Sequence, residues 1–255
     1  MALFIDGDIS TMDDLAAQDS QLLDVASAEG IDVSRKMDLA EDELRIELEA
    51  LLARMVPIEG SAYFGMAGMS VNQIVITPIL KLWHTLRSLE LTYADAYQSQ
   101  LNDRYAGKRD AFHERAKDAY EKLLRAGLGM LWDPISRAES PTLAVAPGSL
   151  PDGRYYATMS WVNAGGEEGV SAIPASIDLT SSGLMVVPGA APAKVAGWNV
   201  YVGTSPAKMI RQNGSLNPPG QAWVQLGAPV SSGSSPSNGQ APSYTQYVPR
   251  LIQRG

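Results

Sequence analysis

Residues 136–153 read SRAESPTLAVAPGSLPDG, and they divide a sequence written in helical residues from one written in strand residues. Upstream, Ala, Leu, Glu, Asp and Arg recur at helical spacing; downstream, Gly, Ser, Pro, Val and paired aromatics dominate and charge almost disappears. The fold class that follows is a multidomain α + β chain. It comprises an all-α module over 1–137, a linker over 138–150, an all-β sandwich over 151–230 and an extended tail over 231–255. At 255 residues there is room for two modest domains, each with a core of its own.

The formal charge of −8 is unevenly held. Residues 1–70 carry 15 acids against 4 bases, residues 71–137 carry 8 acids against 10 bases, and residues 138–240 carry 5 acids against 4 bases. The only charged side chains after that are Arg250 and Arg254. Such a chain lacks the clustered Lys and Arg that displace counterions from a phosphate backbone, so DNA near it is expected to pass rather than be gripped. The absence of Cys removes disulfides, thiolate zinc sites and cysteine nucleophiles, and is compatible with a reducing compartment. No run of about 18 apolar residues exists, and residues 1–8 carry acids where an export signal needs a basic start. A soluble chain with no membrane partner is expected.

Thr11-Met12-Asp13-Asp14 predicts a capping box that opens a helix over 12–28, ended by Gly30 in the left-handed conformation. Asp38 and Glu41 repeat the capping signal, and Leu44, Leu48, Leu51 and Met55 on one face predict a helix over 39–55, stopped by Pro57. SAYFGMAGMS at 61–70 reads as a loop. Thr77 then caps a long pattern with Pro78 at its first position. As one rod, 78–126 would span about 70 Å, so a break is expected near 102–108. Two short helices cover little of its apolar stripe, and Tyr93, Tyr97, Tyr105 and Phe112 are therefore expected to face another copy of the chain.

Residues 154–163 alternate, with Tyr155, Ala157, Met159 and Trp161 on one face, and predict a strand. A turn at 164–169 leads to a second alternation over 173–179, where Pro174 demotes the strand to an edge. Short patterns at 184–187, 198–202, 208–212 and 222–226 complete a sandwich of about 90–100 residues. The tail begins as SSGSSPSNGQAPS (231–243), then carries Tyr244, Tyr247, Leu251 and Ile252. That is the composition of a segment that orders on a partner.

No catalytic constellation emerges. His84 and His113 lie in separate helical stretches without a His or Cys neighbour, and His84 beside Trp83 reads as a packing residue that keeps one hydrogen bond. Glu41, Asp42 and Glu43 are read as first-turn acids complementing a helix dipole. Asp6-Gly7-Asp8 imitates a calcium loop without its later Gly and closing Glu, and Gly65 and Gly68 lack the Lys-Ser of a phosphate loop. Asn213-Gly214-Ser215 reads as a turn rather than a glycosylation site. The chain is thus expected not to be an enzyme and to use no metal or cofactor. The alternative is a surface- or carbohydrate-binding module, or a tail-associated decoration protein, with Trp161, Trp198, Tyr201 and Trp223 as stacking residues. Of these, Trp161 and Trp198 lie in strand patterns that suit a core.

The phrases EGIDVSRKMDLAEDEL (29–44), WHTLRSLELTYADAYQSQLNDRY (83–105) and KRDAFHERAKDAYEKLLRAGLG (108–129) resemble the head–tail connector adaptors of tailed bacteriophages, over most of 10–137. GRYYATMSWVNAGGEEGVSA (153–172) and GWNVYVGTSP (197–206) resemble fibronectin type III or immunoglobulin-like (Ig-like) domains, which also occur in unrelated proteins. The first resemblance implies a structural virion protein, assembled in the bacterial host cytoplasm and resident in the neck. It would form a homo-oligomeric ring, usually a dodecamer, below the portal protein, extend the DNA channel and present a surface to a downstream nozzle or stopper protein. Tyr244, Tyr247, Leu251 and Ile252 would then dock on a neighbour or on the portal, and the β-module would be a peripheral decoration or a collar.

Overall fold

The computed structural model describes residues 1–54, 69–100 and 103–246. It has an N-terminal helical region and a C-terminal antiparallel β-sheet region. The chain divides into a helical unit, Gly7–Met130 with the described residues after Ala241, and a β-unit, Met1–Asp6 with Leu131–Ala241. It therefore passes between the units three times, after Asp6, Met130 and Ala241, rather than once through a linker.

The described helices are α1 (Met12–Gln18), α2 (Leu22–Glu29), α3 (Val33–Arg54), α4 (Pro78–Gln100) and α5 (Ala106–Ala126). Thr11 forms the expected capping box: its Oγ1 accepts the Asp14 N–H at 3.3 Å, and its own N–H donates to Asp14 Oδ2 at 2.7 Å. The single helix expected over 12–28 is instead two. Asp19 turns extended at the end of α1, and its Oδ1 accepts the Gln21 N–H at 3.0 Å, so a side chain replaces the helical acceptor. Gly30 takes the left-handed φ of 67°, and the Ile31 N–H reaches back to the Ala26 carbonyl at 2.9 Å. α3 starts at Val33, not at 39, because Asp32 supplies the cap, with its Oδ1 accepting the Arg35 N–H at 3.2 Å.

Thr77 caps α4 as expected, its Oγ1 accepting the Leu80 N–H at 3.3 Å. The long pattern breaks where its length required, with a 3₁₀ turn at Asp103–Tyr105 between α4 and α5. The aromatic stripe then closes on itself. Trp83 meets Tyr120 with ring centroids 4.8 Å apart, and Tyr93 stacks on Phe112 at 5.6 Å, so α5 runs back along α4. Tyr93, Tyr105 and Phe112 are buried within this one chain, which corrects the expectation that a second copy is needed to cover them.

The described strands are β1 (Leu128–Met130), β2 (Thr142–Ala146), β3 (Gly153–Asn163), β4 (Ala175–Leu179), β5 (Gly183–Val187), β6 (Val195–Gly203), β7 (Ile210–Arg211), β8 (Trp223–Gln225) and β9 (Ser243–Thr245). In the β-unit they form two antiparallel sheets, β2-β5-β8 and β4-β3-β6-β7. Tyr155, Ala157, Met159 and Trp161 of β3 share one core with Trp198, Val200 and Val202 of β6 and with Leu184 and Val186 of β5. Pro174 does precede an edge strand, since β4 is outermost in its sheet.

Residues 138–150, expected as a linker, are part of the β-unit. β2 pairs along its whole length with β5, and Ala138 and Leu150 belong to the core. Pro141 and Pro147 flank the strand without interrupting it. Where β2 and β5 meet their turns, a Cβ on Gly148 would lie 2.6 Å from the Gly183 Cα. Gly148→Ala is expected to lower β-unit stability by about 1–3 kcal/mol through this backbone clash; an unchanged urea midpoint would show that the strand ends can part.

Residues 231–241, expected as the start of an extended tail that orders on a partner, are instead stitched to the β-unit of this chain. The Arg211 N–H donates to the Ser234 carbonyl at 3.0 Å and the Ser171 N–H to the Ser237 carbonyl at 3.1 Å. Buried Gln240 accepts the Ile135 N–H at 2.8 Å and donates to the Asp133 carbonyl at 2.9 Å. Met1–Asp6 joins the same unit: Asp6 Oδ1 accepts the Arg137 N–H at 2.8 Å, and Leu3 and Phe4 are buried. β9 then returns the chain to the helical unit, antiparallel to β1 with Leu128 opposite Thr245 and Met130 opposite Ser243.

Candidate functional site

In the helical unit, α3, α4 and α5 border a groove of about 400 Å³. Leu44, Trp83, Ala116 and Tyr120 give it an apolar floor, and Ile46 stands at its lip with 65% of its surface exposed. Its walls are charged. Arg87 Nε lies 2.5 Å from Glu43 Oε2 and its Nη1 lies 2.5 Å from Glu90 Oε1, which also accepts from His113 Nδ1 at 2.8 Å. Burial works against the Arg87 charge, but the two carboxylates outweigh it and hold the guanidinium pKa above its ordinary value. Glu47 and Lys117 complete the rim. An apolar floor between charged walls suits a short peptide with basic and apolar side chains. Among the described residues it holds no nucleophile beside a base, and the Glu90 carboxylate is occupied by Arg87 and His113.

The sequence reading missed this groove because it explained Glu41, Asp42 and Glu43 as first-turn acids. With α3 starting at Val33 these residues lie inside the helix, where the dipole argument does not reach. Glu43 pairs with Arg87 and Glu41 with Arg45. The signal that could have found it is Asp32, which is a good N-cap residue followed by helical spacing.

A second polar cluster closes the opposite end of the helical hairpin. Asp19 Oδ2 accepts from Tyr93 Oη at 2.6 Å and from Lys108 Nζ at 2.7 Å. Burial raises the Asp19 pKa, but these bonds and the Gln21 N–H more than offset it, and the carboxyl is held below its usual range. The Tyr93 phenol is pushed up, first by burial and then by its bond to Asp19. His84 is buried with two bonds rather than one: Nε2 lies 3.0 Å from the Met37 carbonyl, which can only accept, so Nδ1 accepts from Ser10 Oγ at 2.7 Å. Burial lowers its pKa, and neutral His84 is a packing residue.

In the β-unit, three buried donors, Ser160 Oγ, Tyr201 Oη and Asn199 Nδ2, converge on Glu168 Oε1, the last at 3.1 Å. They fasten the 164–169 turn to β3 and β6. Trp161, Trp198 and Tyr201 are at most 1% exposed, so none offers a face to a sugar; Trp223 is half-buried against the core. Asn213 is turned inward, its Oδ1 accepting the Val200 N–H at 3.0 Å, in keeping with a turn.

Of the expected docking residues, Tyr93, Tyr105 and Phe112 are core, and Tyr97 is half-buried with the Arg109 guanidinium 4.5 Å from its ring centroid. Tyr244 lies in β9 and is 55% exposed. Tyr247, Leu251 and Ile252 lie outside the described residues. Among the described residues no group of three or more His, Asp or Glu could hold a metal ion, and no helix is long and apolar enough to cross a membrane. Compared with known proteins, the chain matches no family model, no curated protein and no solved structure.

Proposed function

We propose that the protein is a structural component of a tailed-bacteriophage neck, a connector whose helical unit assembles with copies of itself below a portal while DNA passes through without specific binding. The observation that carries this reading is the path of the chain. β9 brings the chain back from the β-unit and pairs it with β1, so the segment with Tyr247, Leu251 and Ile252 is tethered to the unit that bears the adaptor-like phrases. The interleaved charges of α5 also support it, since pairs such as Lys122–Asp118 leave a polar outer face that neighbours can share without unfolding the core.

The finer reading of the β-unit is an Ig-like or fibronectin-type sandwich. The order β4-β3-β6-β7, with β5 in the other sheet, supports it, because variable-type immunoglobulin domains add such an edge strand to their three-stranded sheet. Its role in this reading is a decoration or collar. The three-stranded sheet turns uncharged residues outward, Ala144, Met185 and Val224 in one row, which favours contact with protein over sugar.

The test is truncation after Gln246, which keeps the β1–β9 ladder. Mixed with the portal protein of the same phage, the full chain is expected to form rings visible by negative stain, and the truncated chain to attach at least tenfold more weakly. Equal attachment would remove the tail from the mechanism, and no association of the full chain with portal would remove the connector reading itself.

A further inference from the structure

We infer that the α3–α4–α5 groove is the resting site of the chain's own C-terminal segment, residues 247–255, YVPRLIQRG. The inference does not rest on the connector reading, because it concerns the isolated chain. Three observations converge on this occupant.

The first is where the segment starts. β9 runs antiparallel to β1 toward the end of α5, and Gln246 Nε2 donates to the Arg125 carbonyl at 2.9 Å. The chain therefore leaves the described structure at the C-terminal end of the helix whose residues 113–120 line the groove.

The second is length. Tyr120 precedes Arg125 by a little over one turn, about 8 Å along the axis, and His113 by about 18 Å. Nine residues span at most about 30 Å when extended. The segment is long enough to reach the far end of the groove, and a tether that short favours the intramolecular site over the same site on another copy.

The third is chemistry. The segment carries Arg250 and Arg254, with Tyr247, Leu251 and Ile252 as apolar anchors, and no acid. The groove offers Glu47 and, shared with Arg87, Glu43 around Trp83, Tyr120 and exposed Ile46. The other stretch that could cover it, 55–68, contains one acid, Glu59, and no base, so it has nothing to offer those carboxylates.

The absence of Cys makes a direct test simple. In the full chain, Lys117→Cys with Gln253→Cys places one thiol on the groove and one in the segment while keeping every proposed anchor. Asp118→Cys with Gln253→Cys is the control, because Asp118 points away from the groove and lies no farther from the exit. Under mild oxidation the first pair is expected to form an intramolecular disulfide at least tenfold faster than the control. Adding Glu43→Gln and Glu47→Gln is expected to shrink that ratio several-fold. Equal rates would overturn the inference, and so would a disulfide formed only between chains, which would give the groove to a second copy. Hydroxyl-radical footprinting needs no substitution. Truncation after Gln246 is expected to raise oxidation of Trp83 and Tyr120 several-fold, and unchanged oxidation would mean that the groove is empty or covered by 55–68.

Discussion

Replacing Phe4 with Ala is expected to lower the stability of the β-unit by about 3–5 kcal/mol, the usual cost of emptying a fully enclosed phenyl site. Phe4 has no exposed surface, and its neighbour Leu3 is also buried. The backbone around them is fixed, because the Leu3 N–H donates to Asp6 Oδ2 at 2.8 Å while Asp6 Oδ1 holds the Arg137 N–H. The site therefore cannot collapse onto the gap easily. Four of the five tryptophans, Trp132, Trp161, Trp198 and Trp223, belong to the β-unit, so tryptophan fluorescence follows its unfolding, while ellipticity at 222 nm follows the helices. In urea the fluorescence midpoint should fall sharply and the helical transition should move much less. If the fluorescence midpoint stayed in place, the first six residues would not be part of the core.

Asp19→Ala is expected to cost the helical unit about 3 kcal/mol, since it removes charge-assisted bonds from Lys108 and Tyr93 and the acceptor for the Gln21 N–H. The pH dependence has a definite sign. The folded carboxyl titrates below its ordinary value, so on acidification the unfolded chain takes up the proton first. The contribution of Asp19 is thus complete above the ordinary aspartate pKa of about 3.9 and is lost as pH falls through the lower, folded value. Melting followed at 222 nm should show wild type losing more stability between pH 6 and pH 3 than Asp19→Asn does. Parallel losses in the two proteins would mean that Asp19 is not the group responsible.

The elements whose signals are local were legible in the sequence: the Thr11 and Thr77 caps, Gly30, the alternation of β3 and the edge position that Pro174 announces. What escaped depends on residues far apart in the chain. The kink at Asp19 needs Lys108 and Tyr93 to hold its carboxylate, and nothing between residues 12 and 28 announces them. β2 looked like a spacer because its partner, β5, lies some forty residues on and bends back to it only in the folded unit. The aromatic stripe was read correctly as apolar but assigned to the wrong partner, since a break near 102–108 permits α5 to turn back on α4. The groove escaped for a compound reason: it needs the true start of α3 as well as that hairpin.

The three passages of the chain between the units also set an order in time. During synthesis residues 7–130 emerge early and fold largely through contacts within themselves. Met1–Asp6 has to wait for residues 131–241 before its side chains find their place. β1 waits longer still, because its partner β9 is made only after residues 131–241. Leu3 and Phe4 therefore stay exposed until the β-unit has been made, and the closing of β9 onto β1 is the step that reports its completion.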